Sequence, residues 1–201
     1  MSLRIAPPIR EALRAGRAVV ALESTVLTHG LPRPRNLAVA RRLEACVSDA
    51  GAVPATIAVI DGALVVGVDD AELHRLAEDD GVDKASLWNL PALLAAGACA
   101  GTTVAATLHA AAMAGIRVFA TGGIGGVHDH PFDESADLRA LARYPLLTVC
   151  SGPKSILDAA ATLERLESYG VSVVGYASDH LAGFLVPLTA LPLAARVDTP
   201  A

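Results

Sequence analysis

The chain has 201 residues, 53% hydrophobic and 18% charged, with a net charge of −5. That size and apolar content suit a single α/β domain, residues 1–201, with a sizeable core. The negative balance, with no basic block and no aromatic–basic interleaving, argues against a nonspecific nucleic-acid binder. No run reaches the length of a membrane span, and the opening MSLRIAPPIREALRAGR lacks the apolar centre of a signal peptide. A cytoplasmic location with no membrane partner is therefore expected. The three cysteines, Cys46, Cys99 and Cys150, have neither metal-ligand nor disulfide spacing and are expected to be buried free thiols. Among 16 basic residues only Lys84 and Lys154 are lysine, the type that can be tuned into an amine nucleophile.

In chain order, residues 5–16 predict a short helix and residues 17–22 (RAVVAL) a buried strand. That strand delivers Glu23 at its carboxyl end, where open α/β sheets hold ligands, although a lone Glu there can equally cap a helix or face solvent. His29, Gly30, Pro32 and Pro34 form a rigid loop. Asn36 is expected to cap a helix over 37–50 whose apolar face is Leu37, Val39, Ala40, Leu43 and Cys46. Residues 52–68 read as a hairpin around Asp61-Gly62. Asp69-Asp70 starts a short acidic helix with His74 on its surface. Trp88 is expected in a core or interface, ahead of a helix over 91–99.

Gly101-Thr102-Thr103 begins a helix to about Met113 that is apolar all round and so buried, with His109 a satisfied core histidine. Strands follow at 116–120, 146–150 and 171–176. Ser151-Gly152-Pro153 is read as the start of a helix running to about Tyr169. Beyond Tyr176 no period is clear. Asp198-Thr199-Pro200 has the form of a helix start with no helix after it, so the chain is expected to be cut short there. The expected fold is α/β: a central mixed, largely parallel sheet flanked by helices, with a β-hairpin at about 52–68.

Chemistry concentrates between Val118 and Lys154. The run TGGIGGVH follows a strand, as anion-cradling loops do, or it is a tight turn; its spacing is neither a dinucleotide fingerprint nor a P-loop. Asp133, Ser135 and Asp137 alternate in FDESADL, suiting a hard cation that keeps waters, or else a capped helix start. Lys154, placed by this reading in a first helical turn behind a buried strand, is where the positive helix end and desolvation both disfavour the ammonium form. A lysine so placed can attack a carbonyl-type carbon.

These pieces together resemble the pseudouridine-5′-phosphate glycosidase family, whose members include the indigoidine-synthase-A-like proteins. The matching text is ALEST (21–25), HGLPRP with Asn36, GAVPATIAVIDG (51–62), Lys84 with Leu90-Pro91, GTTVAAT (101–107), VFATGGIGGVH (118–128), FDESADL (132–138), CSGPKSILD (150–158) and GVSVVGY (170–176). The resemblance implies reversible cleavage of the C–C glycosidic bond of pseudouridine 5′-phosphate, giving uracil and ribose 5-phosphate. It implies Lys154 as the nucleophile on C1′ and Glu23 as the acid that protonates the departing carbon. It implies Asp133 as the metal ligand, for Mn²⁺ or another divalent cation such as Mg²⁺. Ser135, Ala136, Asp137, Lys84 and Val104 are implied as substrate contacts, and Thr121, Gly122 and His128 as lining of the glycine loop. A homotrimer is implied, as is a domain that continues past Ala201. Departures are a short loop between His128 and Asp133 and the absence of a Ser-rich pattern around 187–193. A C-ribosyl synthase acting on another aglycone, or an inactive sugar-phosphate-binding fragment, are the alternatives.

Overall fold

The structure, a computed structural model, describes residues 2–200. The chain divides into two compact units. One holds the residues up to Ala120 together with Tyr144–Thr148; the other holds Thr121–Arg143 and the residues from Val149 on.

The first unit is built on strands β1 (Leu3–Ile5), β2 (Val19–Leu22), β3 (Val53–Ile60), β4 (Ala63–Val66), β5 (Asp83–Ala85), β6 (Ala100–Thr102), β7 (Val118–Ala120) and the start of β8 (Leu147–Val149). The strand order is β1-β4-β3-β2-β7-β8, with β6 carrying β5 on a branch from β3. The β1–β4, β2–β3, β2–β7 and β5–β6 pairs are parallel, whereas β3 runs antiparallel to β4 and β6, so the sheet is mixed and largely parallel. The eight-residue β3 serves three neighbours. Val53–Thr56 register against β2, and Ala58 and Val59 against β6. Its continuous apolar text follows from that central place, since its residues from Ala55 to Ile60 are all buried.

Around the sheet lie helices α1 (Pro7–Arg14), α2 (Arg35–Asp49), α3 (Asp70–Glu78), α4 (Leu90–Ala95) and α5 (Val104–Ala114), with a π-helical turn at Val26–Gly30. The expected hairpin is there: Asp61 (φ 48°) and Gly62 (φ 74°) make the left-handed pair that a two-residue turn between twisted strands needs. The acidic helix is also there, closed by a reciprocal cap in which Asp69 Oδ1 accepts from Glu72 N–H at 2.8 Å and Glu72 Oε2 from Asp69 N–H at 3.0 Å. The residues Val104 to Leu108, Ala110 and Ala111 are all buried, which makes α5 the buried helix that its text predicts.

Two expectations fail in this unit. Asn36 does not cap α2; it lies inside the helix, buried, donating to Leu27 O at 2.9 Å and Ala77 O at 3.0 Å. Two backbone carbonyls of other segments outcompete the local cap. The buried face of α2 is narrower than predicted: Ala40 is inside, but Leu43 and Cys46 are exposed. Trp88 is 83% exposed, so it does not pack in this chain's core. His109 is half-buried and bonded through Nδ1 to the Tyr144 hydroxyl at 2.9 Å.

The second unit has helices α6 (Ala136–Arg143) and α7 (Ala159–Ser168) and a parallel pair of short strands, β9 (Val174–Tyr176) and β10 (Ala195–Val197). Between β9 and β10 the chain is irregular, with isolated bridges at His180–Pro192 and Gly183–Val186, which is why no period was legible there. Asp137, Leu138, Ala140, Thr162 and Leu166 are its buried helical residues, Arg165 pairs with Glu134, and Arg139 lies 5.4 Å from the centre of the Tyr169 ring. Among the described residues no helix is long and apolar enough to cross a membrane, and all three cysteines are free.

Candidate active site

The glycine loop and the segment carrying Lys154 run side by side within the second unit. Thr121 N–H donates to Val149 O (3.0 Å), Ser151 N–H to Gly122 O (3.2 Å), Ile124 N–H to Gly152 O (3.1 Å), Lys154 N–H to Ile124 O (3.0 Å) and Asp158 N–H to Val127 O (2.9 Å). The next loop is drawn in from the other side: Gly125 N–H donates to Asp137 Oδ2 (2.8 Å), Val127 N–H to Thr162 Oγ1 (3.0 Å) and His128 N–H to Asp133 O (2.9 Å). The amides of residues 124, 125, 127 and 128 are therefore committed inside the protein, and those four do not form an anion cradle.

The glycines have a steric reason instead. A Cβ on Gly125 would lie 2.2 Å from Ser135 Oγ, one on Gly126 2.2 Å from Thr162 Oγ1, and one on Gly123 2.6 Å from the Phe184 ring. Gly122 has room, its nearest such neighbour being Phe184 at 3.9 Å, so it is the glycine whose backbone is open to a ligand.

The alternating set Asp133, Ser135 and Asp137 does not converge on one point. Asp137 is buried, 5% exposed, and turned inward to the Gly125 amide; Ser135 Oγ accepts from Asp137 N–H at 3.2 Å; Ala136 opens α6. Among the described residues no three His, Cys, Asp or Glu side chains form a metal cluster. What remains is a pair. The Asp133 carboxylate is exposed, with Oδ1 3.5 Å from His128 Nδ1, and that ring nitrogen is buried without a hydrogen-bond partner. At this separation the contact is electrostatic rather than a hydrogen bond. One carboxylate and one imidazole nitrogen fit a divalent cation such as Mn²⁺ that takes its other ligands from water or substrate, and do not make a closed cage.

Lys154 is not in a helix. The chain turns at 155–157, α7 begins only at Ala159, and its N-terminus is capped by Asp158, whose carboxylate accepts from Ala161 N–H at 2.9 Å. The helix-end influence expected at Lys154 therefore falls away. Pro153 pairs with Ile124 in a parallel bridge rather than opening a helical turn. Lys154 is half-buried and held by its backbone at Ile124.

The remaining predicted residues belong to the first unit. Glu23 follows β2, half-buried, with Oε2 2.5 Å from the Thr25 hydroxyl. Lys84 lies on β5, exposed. Val104 is the first residue of α5 and is buried, 1% exposed. Beneath Glu23 lies a hydroxyl network that sequence reasoning passed over. Ser24 Oγ and Thr102 Oγ1 each donate to Ile57 O at 2.6 Å, Thr107 Oγ1 donates to Thr102 Oγ1 at 2.9 Å, and Thr25 Oγ1 lies 2.8 Å from Thr102 O. The signal was on the page as the adjacent hydroxyls of EST and GTT.

The sequence profile of the indigoidine synthase A like protein family matches residues 8–201. A pseudouridine-5′-phosphate glycosidase from Thermus thermophilus is 62% identical over 181 residues, covering 90% of this chain and 64% of that protein. One from Salinispora tropica is 58% identical over 201 residues, 98% of this chain and 62% of that protein. The chain thus spans less than two thirds of the length of these relatives. Two solved structures are similar throughout: the prealnumycin C-glycosynthase AlnA in complex with ribulose 5-phosphate (TM-score 0.91, 41% identity, 99% of this chain and 65% of that one), and an indigoidine synthase A-like protein from Thermotoga maritima (TM-score 0.90, 32% identity, 99% and 65%). With a profile match over nearly its whole length and relatives at this identity, the chain belongs to the indigoidine synthase A-like protein family.

Proposed function

We propose that this chain carries the nucleophile, the acid and the sugar-phosphate loop of an enzyme that reversibly cleaves pseudouridine 5′-phosphate to uracil and ribose 5-phosphate. The observation that carries the reading is Lys154, one of two lysines in the chain, tied through its backbone to the glycine loop that also bears His128 and Asp133. Relatives named for this activity at 62% and 58% identity support it.

The leaving atom explains why a lysine is needed. Glycosidases that use two carboxylates expel an oxygen; here a carbon must leave. Lys154 Nζ attacks C1′, the C1′–O4′ bond breaks, and the proton that the nitrogen sheds passes to O4′, restoring the nitrogen lone pair. The nitrogen lone pair then forms C=N as the C1′–uracil bond breaks. The released pair goes to the uracil carbon, which takes its proton from Glu23. Water hydrolyses the imine and returns the amine with ribose 5-phosphate.

Lys84 supplies positive charge for the phosphate, and Thr121, Gly122, His128 and Ser135 border the sugar. Val104, Ala136 and Asp137 shape the site through their backbone or through the loop they hold. Asp133, beside His128, would hold Mn²⁺, which when bound supplies positive charge for the anionic substrate. A cytoplasmic homotrimer completes the proposal, and sedimentation of the purified chain decides its oligomeric part.

Borohydride reduction in the presence of ribose 5-phosphate, followed by peptide mapping, tests the reading. A reduced adduct on Lys154, lost in Lys154→Ala, is expected. An adduct on Lys84, or none from folded protein, would overturn it. A second reading, C-ribosyl transfer to another aglycone, has one observation in its favour, the likeness to AlnA. Varying the aglycone at constant ribose 5-phosphate separates the two.

A further inference from the structure

We infer that Thr25 is a positioning residue for Glu23, a hydroxyl that changes its hydrogen-bond partner with the charge of that carboxyl. The inference rests on the reading of Glu23 as the acid. Thr25 Oγ1 has one proton and two oxygens within reach, Glu23 Oε2 at 2.5 Å and Thr102 O at 2.8 Å. Thr102 O is a carbonyl and can only accept. When Glu23 is ionised, Thr25 donates to the carboxylate in a charge-assisted bond. When Glu23 carries a proton, Thr25 accepts from it and turns its own proton to Thr102 O.

Both states are satisfied with only a rotation about the C–O bond. The carbonyl is not abandoned in either, because Ser24 N–H also donates to it at 3.3 Å. Thr25 is buried, 7% exposed, and Thr102 completely so; Thr102 is itself fixed by Ile57 O and Ser24 Oγ. The hydroxyl therefore has a rigid seat, and the network beneath it holds the Glu23 carboxyl in one place while its proton comes and goes.

Thr25→Val keeps the shape and removes the hydroxyl; Thr25→Ser keeps the hydroxyl. Two measurements on the full chain decide the matter. In carboxyl-¹³C-labelled protein, assigned with Glu23→Gln, the Glu23 side-chain resonance moves in Thr25→Val and returns in Thr25→Ser. In uracil release, Thr25→Val lowers kcat about tenfold with KM unchanged, Thr25→Ser restores it, and Thr25→Val adds nothing to Glu23→Gln. An unmoved resonance in Thr25→Val, or a loss that persists in full on the Glu23→Gln background, overturns the inference. A wild-type chain that neither releases uracil nor traps ribose 5-phosphate sinks the proposed reaction, and the resonance alone then decides Thr25.

Discussion

Asp137 Oδ2 accepts the Gly125 amide at 2.8 Å from a nearly sealed position, so this carboxylate is a clamp on the glycine loop before any ligand arrives. Asp137→Ala should cost about 1–3 kcal/mol in the unliganded chain, the range for leaving a hydrogen-bonding group without its partner. Asp137→Asn, which keeps an acceptor, should cost less. Urea denaturation measures both, and an unchanged midpoint in Asp137→Ala would remove the clamp.

Gly125→Ala and Gly126→Ala should each destabilise the second unit by about 1–3 kcal/mol, because each new methyl group meets a side-chain oxygen of a packed neighbour. Gly122→Ala, with nothing nearer than 3.9 Å, should leave the melting temperature unaltered. If Gly122→Ala unfolds the protein as readily as Gly125→Ala, the close-approach account fails.

The hairpin carries a pH dependence of its own. Two Arg75 nitrogens bond the Asp61 carboxylate at 2.7 and 3.0 Å and, with Cys99, hold its carboxyl below the ordinary value of 3.8. A depressed carboxyl stabilises the fold above its ordinary value, and that contribution is lost as the pH falls through the depressed one. Asp61→Asn, tolerated at this left-handed φ, should therefore be less stable than wild type at pH 6, and the difference should disappear only as the pH falls through the depressed value, which lies under 3.8. Melting curves across that window give the answer; a constant difference down to the lowest pH would contradict the pairing.

Thiol reactivity should rank by environment. Cys46 is exposed, whereas burial pushes the Cys150 thiol above its ordinary 9.0, partly offset by the Gly152 amide. Since the thiolate is the reactive form, alkylation at pH 8 should be slower at Cys150 than at Cys46. Equal labelling rates in mass mapping would refute this.

On the proposed reaction, removing metal with a chelator should abolish uracil release, and Asp133→Asn should weaken Mn²⁺ binding, read by the paramagnetic signal of the bound ion. Full activity in chelator would take Asp133 out of the metal's reach.

What the sequence made legible was periodic or capped. The β3–β4 hairpin, the helix start at Asp69-Asp70, and the buried α5 all follow from local rules that tertiary structure did not override. The errors have a common cause in competition. Pro153 and Asn36 both carry helix-start signals, but Ile124 captured the chain beside one and two distant carbonyls captured the side chain of the other. At the candidate site the residue types were readable and their directions were not. FDESADL has the alternation of a ligand set, yet a loop with no fixed period can turn Asp137 inward and leave Asp133 outside. Val104, read as a substrate contact, likewise turns out to be buried at the start of α5.

The closeness of Gly125 to Ser135 and of Gly126 to Thr162 has a genealogical consequence. Neither glycine can drift alone; a lineage that gains a side chain at one must shrink its neighbour in the same interval, so these positions should change in pairs or stay fixed. Asp129, His130, Pro131 and Phe132, whose side chains all face solvent, are under no such tether. Insertions and deletions in this arm of the protein should accumulate there, between two frozen anchors.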